Sequence, residues 1–258
     1  MDKGKKIMHL KLNALLITMF SPFVFAAPSG EEVMTWLDTA ESSQDVTQDM
    51  VMLIKRNDQM LKRVLKSESI RTDEGRKSFM EFSLPAEVQG TRYLTWSYDD
   101  PKLVDDMWLY LQNANLTRRI SGSANKGTFM RSDLINEDLQ SRSVQDDEHT
   151  LLRKEECGEV QCYVVESVPF DANSSSYKKR ITWVREDIHL VHKMERYSKQ
   201  GQLLKTTWYG GHKQFGDYWM AQKMVTKSAV SNSETLIQFN NIQVNVGLSE
   251  ADFSQSRL

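Results

Sequence analysis

Two arginines and two carboxylates lie close to the most apolar stretch of the sequence. Residues 105–122 read DDMWLYLQNANLTRRISG and include Arg118 and Arg119, and Asp133 and Glu137 follow soon after. An arginine can hold a mobile segment through charge-assisted hydrogen bonds, so this set could form a polar gate at the rim of an apolar cavity. The alternative is a set of exposed pairs worth less than ~1 kcal/mol each. Because adjacent strand residues point to opposite faces, only one of the two arginines can face a cavity.

A second candidate set consists of large apolar and aromatic side chains. A strand with one buried face alternates apolar and polar residues, whereas every position from Met107 to Leu111 is apolar or amphipathic. This pattern suits a strand with one face on a ligand cavity and the other under a helix, and in LTWSY we expect Leu94 and Trp96 to point inward. The expected wall of an acyl-chain cavity comprises Leu94, Trp96, Trp108, Tyr110, Phe129 and Met130. The alternative is an ordinary core, where aromatic residues are common.

The sequence carries no motif typical of catalysis. It lacks the Gly-x-Ser-x-Gly elbow, the Gly-x-x-x-x-Gly-Lys phosphate loop and the His-Glu-x-x-His zinc motif. His189 and His192 fall on opposite faces of one predicted strand, which argues against a two-histidine metal site. We therefore expect no catalytic residue, no metal ligand and no cofactor. A lipid hydrolase stays open as an alternative, because a lipid cavity could host one.

The sequence contains two cysteines, Cys157 and Cys162, in the segment CGEVQC. In an oxidising compartment this spacing predicts a disulfide across the tip of a hairpin. Because the closed loop is short, we expect a modest stabilisation of ~2 kcal/mol.

Residues 1–26 have the features of a secretory signal peptide. Four lysines precede the apolar run LNALLITMFSPFVF, and Val24 and Ala26 place small residues before the expected cleavage site. A membrane anchor is the alternative, but a span needs ~20 apolar residues and this run is shorter. We expect residues 27–258 to form a single exported domain, located in the periplasm. The formal net charge of −2 and the absence of a long basic run argue against nucleic acid binding.

Hydrophobic periodicity predicts the elements that must position these residues. Ser29 is a candidate N-cap, and Val33, Trp36 and Leu37 follow at helical spacing. From Asp45 onward the period changes to two, and about eleven strands are separated by turn clusters. DYWMAQKMVTKS is among the predicted strands, and a short helix is predicted around SDLINEDLQ. An antiparallel sheet of this size could be a closed barrel, a sandwich or a curved sheet covered by helices.

The stretch Asp105–Leu139 resembles the signature block of the LolA-like outer membrane lipoprotein-sorting protein family. The block's elements Asp-x-Met-Trp-Leu-Tyr-Leu, Arg-Arg-Ile, Gly-Ser, Phe-Met-x-Ser-Asp and Glu-Asp-Leu are all present. The likeness extends over Val33–Leu258 and ends with the family's Gly-Leu-Ser-x-x-x-Phe pattern. Two departures concern loops: Arg131 stands where the family more often has Gly, and the turn at 112–116 lacks the usual Pro.

The resemblance implies a mainly β fold, an incomplete antiparallel half-barrel of about eleven strands capped by short α-helices. Its apolar concave face would hold acyl chains. The implied function is a periplasmic carrier of a lipoprotein or another lipid, working between an inner-membrane exporter (of the RND/MMPL or ABC type) and an outer-membrane acceptor. The alternative is a periplasmic lipid sensor or adaptor that regulates a partner protein through the same fold.

Overall fold

The computed structural model describes Met1 and residues 27–258, and only the backbone of residues 122 and 123. The predicted signal peptide, residues 1–26, lies outside the described residues except for Met1. Within the described chain there are one α-helix, six short 3₁₀-helices and fifteen β-strands. The mainly β fold predicted from the sequence is confirmed.

The helix α1 spans Gly30–Ala40. The 3₁₀-helices span Gln112–Ala114, Gly122–Lys126, Asn136–Leu139, Val144–Asp146, Glu250–Phe253 and Gln255–Arg257. The strands are β1 (Asp45–Arg56), β2 (Gln59–Thr72), β3 (Gly75–Leu84), β4 (Arg92–Tyr98), β5 (Asp106–Leu111), β6 (Leu116–Ile120), β7 (Asp147–Cys157), β8 (Val160–Pro169), β9 (Lys179–Arg185), β10 (Val191–Tyr197), β11 (Leu203–Gly210), β12 (Lys213–Phe215), β13 (Tyr218–Met220), β14 (Lys223–Ser228) and β15 (Ser233–Val244).

Thirteen strands form one open antiparallel sheet in the order β6-β5-β4-β3-β2-β1-β15-β14-β11-β10-β9-β8-β7. Pairing of β1 with β15 joins the first and last strands at the middle of the sheet, so β6 and β7 are its two edges. The predicted open half-barrel is therefore confirmed, with two strands more than the expected eleven.

The strand predicted over DYWMAQKMVTKS is wrong, because the chain leaves the main sheet there. Gly211 has a φ of 63°, a left-handed conformation that glycine adopts readily. After it, β12 and β13 form a separate hairpin, and the Gln222 N–H donates to the Gly210 carbonyl at 3.1 Å. That hydrogen bond closes the base of the hairpin before β14 rejoins the sheet.

Tight turns fix the register, and alternation then divides the side chains between two faces. Between β1 and β2, Arg56 pairs with Gln59, and Asn57 adopts a φ of 52° in the two-residue turn. We call the face that carries Met52 the inner face and the opposite one the outer face. Side chains two residues apart along a strand share a face.

The C-terminal residues 248–258 cover part of the outer face. Phe253 is 1% exposed and packs with residues of β2 to β5. The buried Asp45 carboxylate accepts hydrogen bonds from the backbone N–H groups of residues 246, 247 and 248 at 2.7–3.1 Å. This carboxylate fixes the path of the chain as it leaves β15.

Cys157 and Cys162 form a disulfide between the ends of β7 and β8, with their Cα atoms 5.9 Å apart. Gly158 occupies the turn with a φ of 74°. The disulfide predicted from the two-cysteine segment is confirmed, and it lies on the outer face with Val164 and Trp183.

Candidate ligand-binding site

Part of the inner face, on strands β1 to β5, β14 and β15, forms an apolar floor. Met50, Met52 and Ile54 alternate along β1 and are at most 6% exposed. Their neighbours across the sheet continue the same face, and the cluster includes Leu65, Phe82, Tyr93, Met107, Met224 and Ile237. Hydrophobic side chains thus line one continuous surface over the centre and one side of the open sheet.

Residues 121–143, which we call the plug segment, lie on this floor. Phe129 is 1% exposed, and its ring centroid lies 5.1 Å from that of Tyr93 and 5.8 Å from that of Phe82. The Phe129 N–H donates to the Leu134 carbonyl at 2.8 Å, so the segment folds into a short closed turn. Leu134 is also buried in the same cluster. The plug segment therefore inserts apolar side chains into the half-barrel.

Three carboxylates attach the plug segment to the inner face. Asp138 lies 3.0 Å from the Arg196 guanidinium and also forms an ion pair with Lys205. Glu137 lies 2.9 Å from Arg180. Asp133 accepts hydrogen bonds from the hydroxyl groups of Ser233 and Thr235. These attachments reach β15 beside the apolar floor and β9, β10 and β11 on the other half of the sheet.

The environment of Asp138 keeps its carboxylate ionised. Burial alone would raise the pKa of Asp138, but the charges of Arg196 and Lys205 outweigh it and lower this pKa. The Tyr177 hydroxyl donates to the same carboxylate at 2.9 Å, and burial raises the pKa of Tyr177. The pairing outweighs the desolvation of Asp138 and Arg196, whereas burial still lowers the pKa of Lys205.

Helix α1 covers the inner face near the β7 edge. Ser29 accepts a hydrogen bond from the Glu32 N–H at 3.1 Å, and the Glu32 carboxylate accepts one from the Ser29 N–H at 2.7 Å. This capping box is the N-cap predicted from the sequence. Val33 and Leu37 then pack on a cluster of β8, β9 and the β9–β10 connection. The Trp36 ring stacks on His189 at 5.1 Å.

A hollow of about 310 Å³ remains between the inner face, α1 and the β12–β13 hairpin. Its lining includes Ala40 at the end of α1, Trp219 and Met220 of the hairpin, and Tyr209 and Phe239 of the sheet. Ser141 closes it on the side of the plug segment. Three separate segments therefore roof the inner face, and the hollow lies where they meet.

A second hollow of about 320 Å³ lies beside β2 and β3, with Asp49, Lys66 and Glu81 in its lining. These charged side chains belong to the outer face of neighbouring strands. A charged lining of this kind does not suit a hydrocarbon chain, because ions lose hydration there without gaining a partner.

Comparisons with known proteins agree with this architecture. A family model described as "Uncharacterized protein" matches residues 74–258. The crystal structure of a DUF1329 family protein from Desulfovibrio piger is 34% identical, with a TM-score of 0.86, over 89% of this chain and 97% of that one. A domain named for outer membrane lipoprotein sorting, from Vibrio parahaemolyticus, is 28% identical with a TM-score of 0.84 over 88% of this chain and 97% of that one. The chain belongs to the DUF1329 family, and its fold is LolA-like.

A LolA superfamily protein from Nitrosomonas europaea shares this LolA-like fold. Its TM-score is 0.70 at 19% identity, over 90% of this chain and 100% of that chain. The comparison with curated proteins gave no match. Within the described part of the chain, no helix has the length and apolar character that a membrane crossing requires.

Four of the six predicted cavity residues lie on the outer face of the LolA-like sheet. Leu94 and Trp108 pack around Phe253 of the C-terminal segment. The Trp96 indole N–H donates to the Phe253 carbonyl at 2.8 Å, and Tyr110 lies on the same face of β5 as Trp108. The expectation that Leu94 and Trp96 point inward is wrong, because the C-terminal segment covers their face. Tyr93 and Met107 take the inner positions instead.

Phe129 and Met130 are the two predicted cavity residues that do lie on the inner face. Met130 and Arg131 have φ angles of 50° and 64°, both left-handed. A glycine, which the family resemblance implies at position 131, would adopt such a conformation without strain. The plug segment keeps its tight turn with a non-glycine residue in that position.

The structure does not bring the four predicted gate residues together. Arg118 and Arg119 point to opposite faces of β6, as expected, and Arg119 forms an ion pair with Asp106. The carboxylates of Asp133 and Glu137 bind hydroxyl groups and Arg180 instead. Sequence analysis missed Arg180, Arg196 and Lys205. β9 and β10 carry several other charged residues, so the sequence offered no distinct signal for these three.

Proposed function

We propose that this LolA-like protein is a periplasmic carrier that binds the acyl chains of a lipoprotein or another hydrophobic molecule. The binding place is the hollow on the inner face, and the cargo passes toward the outer membrane. The partners in this proposal are an inner-membrane exporter of the RND/MMPL or ABC type and an outer-membrane acceptor. The observation that carries it is an apolar inner face roofed by three segments that leave a hollow between them.

The size and lining of the hollow support this use. A volume of about 310 Å³ falls at the lower end of the ~300–1,000 Å³ typical of ligand pockets. Burying hydrocarbon gains ~0.8 kcal/mol per methylene, so a sixteen-carbon chain gains on the order of 10 kcal/mol before ordering costs. Reversible burial of this kind needs no catalytic group, and we assign none.

Longer or multiple acyl chains require more volume than the hollow offers. Movement of the plug segment away from the inner face would enlarge the binding space. Withdrawing Phe129 and Leu134 would expose the apolar floor between β1 and β5. The hydrogen bonds and ion pairs of the Asp133, Glu137 and Asp138 carboxylates would have to break during that movement. In this proposal they form the gate, together with Arg180, Arg196 and Lys205, in place of the arginine pair at 118–119.

Native mass spectrometry and lipid extraction of the protein purified from its host test the proposal. We expect an acylated amphiphile at near-stoichiometric yield, or its uptake when lipids are added. If no amphiphile co-purifies or binds at any concentration, the carrier function is wrong. A single protein partner at stoichiometric yield without lipid would favour the sensor or adaptor. Turnover of an ester lipid, abolished by replacing one Ser or Asp, would identify a hydrolase.

A further inference from the structure

The two ends of the hollow differ in chemistry. Gln48, Ser69 and Arg76 line it from the adjacent strands β1, β2 and β3, and Glu41 lines it from the end of α1. The apolar part of the lining comes from the other direction along the sheet and from the hairpin, with Leu190, Val191, Tyr209, Trp219, Met220 and Phe239. The sheet order places β3 six positions away from β10. The hollow is therefore polar at one end and mostly apolar at the other, where His212 is the ionisable exception.

Arg76 supplies a cation at the polar end that the protein leaves largely uncommitted. Its Nη2 donates to the Glu41 backbone carbonyl at 2.9 Å. Within the described part of the chain, its guanidinium lies within ion-pair distance of no carboxylate, while the adjacent Arg71 pairs with Asp38 and Asp99. The Glu41 carboxyl group also lines the hollow and interacts electrostatically with Arg76, but burial raises the pKa of Glu41 and so favours its neutral form. A guanidinium carries five N–H donors. Most of them remain available to a ligand in the hollow.

A guanidinium facing a cavity favours one class of ligand group. Its planar fork matches two oxygens of a carboxylate or phosphate, and charge-assisted hydrogen bonds of this type are about twice as strong as neutral ones. The amide of Gln48 and the hydroxyl of Ser69 can add hydrogen bonds to the same oxygens. A neutral head group would leave Arg76 with Glu41 as its acidic neighbour in the hollow, and burial raises the pKa of Glu41 toward its neutral form. A cationic head group would be repelled.

We infer that the hollow takes an acyl chain carrying an anionic oxygen acid, with the acid on Arg76 and the hydrocarbon along the apolar end. This inference rests on the proposed carrier function and specifies its ligand. The shared chemistry is a negatively charged carboxylate or phosphate joined to a long alkyl chain. Free fatty acids and lipid phosphates both provide it.

Isothermal titration calorimetry with four sixteen-carbon probes and one free anion tests the inference. The probes are hexadecanoate, hexadecyl phosphate, 1-hexadecanol and hexadecyltrimethylammonium, and the free anion is inorganic phosphate. We expect the two anionic probes to bind about 10- to 100-fold more tightly than the alcohol, as charge-assisted hydrogen bonds predict. The cationic probe should bind more weakly than the alcohol. The ratio of the affinities for hexadecanoate and hexadecyl phosphate distinguishes a fatty acid site from a lipid phosphate site.

Arg76→Gln should remove most of the preference for the anionic probes while leaving 1-hexadecanol binding unchanged. Arg76→Lys should keep part of the preference, because the charge remains and the fork does not. Lys62→Gln is the matched control, since Lys62 is an exposed cation on β2 that does not line the hollow. It should change none of the affinities.

The possible outcomes separate this inference from the proposed function. Equal affinity for the alcohol and the anions, or an undiminished preference in Arg76→Gln, overturns the inference and leaves the carrier intact. Inorganic phosphate binding as tightly as hexadecyl phosphate assigns the site to a free anion and also overturns it. If no sixteen-carbon probe binds, the carrier function itself is wrong. If Arg76→Gln does not fold, the wild-type series and Arg76→Lys still test the inference, because Arg76→Lys with an undiminished preference also overturns the assignment of the acid to the guanidinium fork.

Discussion

Asp138 of the plug segment lies 3.0 Å from the guanidinium of Arg196 on β10, and the two side chains are 2% and 10% exposed. The Lys205 ammonium contacts the same carboxylate from β11. One plug residue thus joins two neighbouring strands on the inner face. We regard this contact as the principal attachment of the plug segment, since the ion pair of Glu137 is more exposed.

Replacing Asp138 by Asn should destabilise the protein strongly. The amide keeps the shape of the side chain but leaves Arg196 and Lys205 buried without a counter-charge, and breaking such a pair costs about 3–5 kcal/mol. Urea denaturation measures the loss. Lys227→Gln is the control, because the Lys227–Glu234 pair is exposed and should contribute less than ~1 kcal/mol. Equal effects of the two substitutions would contradict the assignment.

Acid should selectively remove the contribution of Asp138. Burial raises its pKa, but Arg196 and Lys205 lower it further, so the folded value lies below the unfolded one. A carboxylate with a lowered folded pKa stabilises the protein above its unfolded pKa of ~3.9 and loses that contribution as the pH falls through the folded value. The difference in unfolding free energy between wild type and Asp138→Asn should therefore be constant above about pH 5 and shrink below about pH 4. A difference independent of pH over this range would refute the ionised pairing.

Local pattern was sufficient for much of the fold. The capping box at Ser29, the two-residue turn at Asn57 and the Cys157–Cys162 bridge all depend on residues within a few positions of each other. Alternation also placed Leu94 and Trp96 on one face correctly. Such features are readable because their geometry is set by the chain nearby.

Alternation did not tell which group faces inward. Both faces of β4 and β5 are buried, one by the plug segment and the other by the C-terminal segment. The carbonyl that accepts from Trp96 belongs to Phe253, far along the chain. The partners of Asp138 likewise come from distant strands. Periodicity identifies residues that share a face, but the segment covering that face is a tertiary contact without a local signal.

The two buried phenylalanines of the plug and C-terminal segments distinguish the inner face from the outer one. Phe129→Ala and Phe253→Ala remove side chains that are both 1% exposed, and each should cost about 3–5 kcal/mol of unfolding free energy. We expect Phe129→Ala alone to increase the uptake of a neutral hydrophobic fluorophore, because it opens space on the apolar floor. Calorimetry or denaturant unfolding measures the loss of stability, and fluorophore titration measures the uptake. Increased uptake by Phe253→Ala instead would move the binding surface to the outer face.

Filling the hollow should abolish ligand binding without unfolding the protein. Ala221 is half-buried and lines the hollow between β13 and β14, so Ala221→Trp places an indole in the space that the acyl chain would use. We expect at least a tenfold loss of affinity for 1-hexadecanol, with a stability change within the ~1–3 kcal/mol of an overpacked site. Ala229→Trp is the matched control, because Ala229 is exposed in the β14–β15 connection. It should bind like wild type. If Ala221→Trp also binds like wild type while remaining folded, the acyl chain does not occupy this hollow, and the apolar floor under the plug segment becomes the binding surface to test.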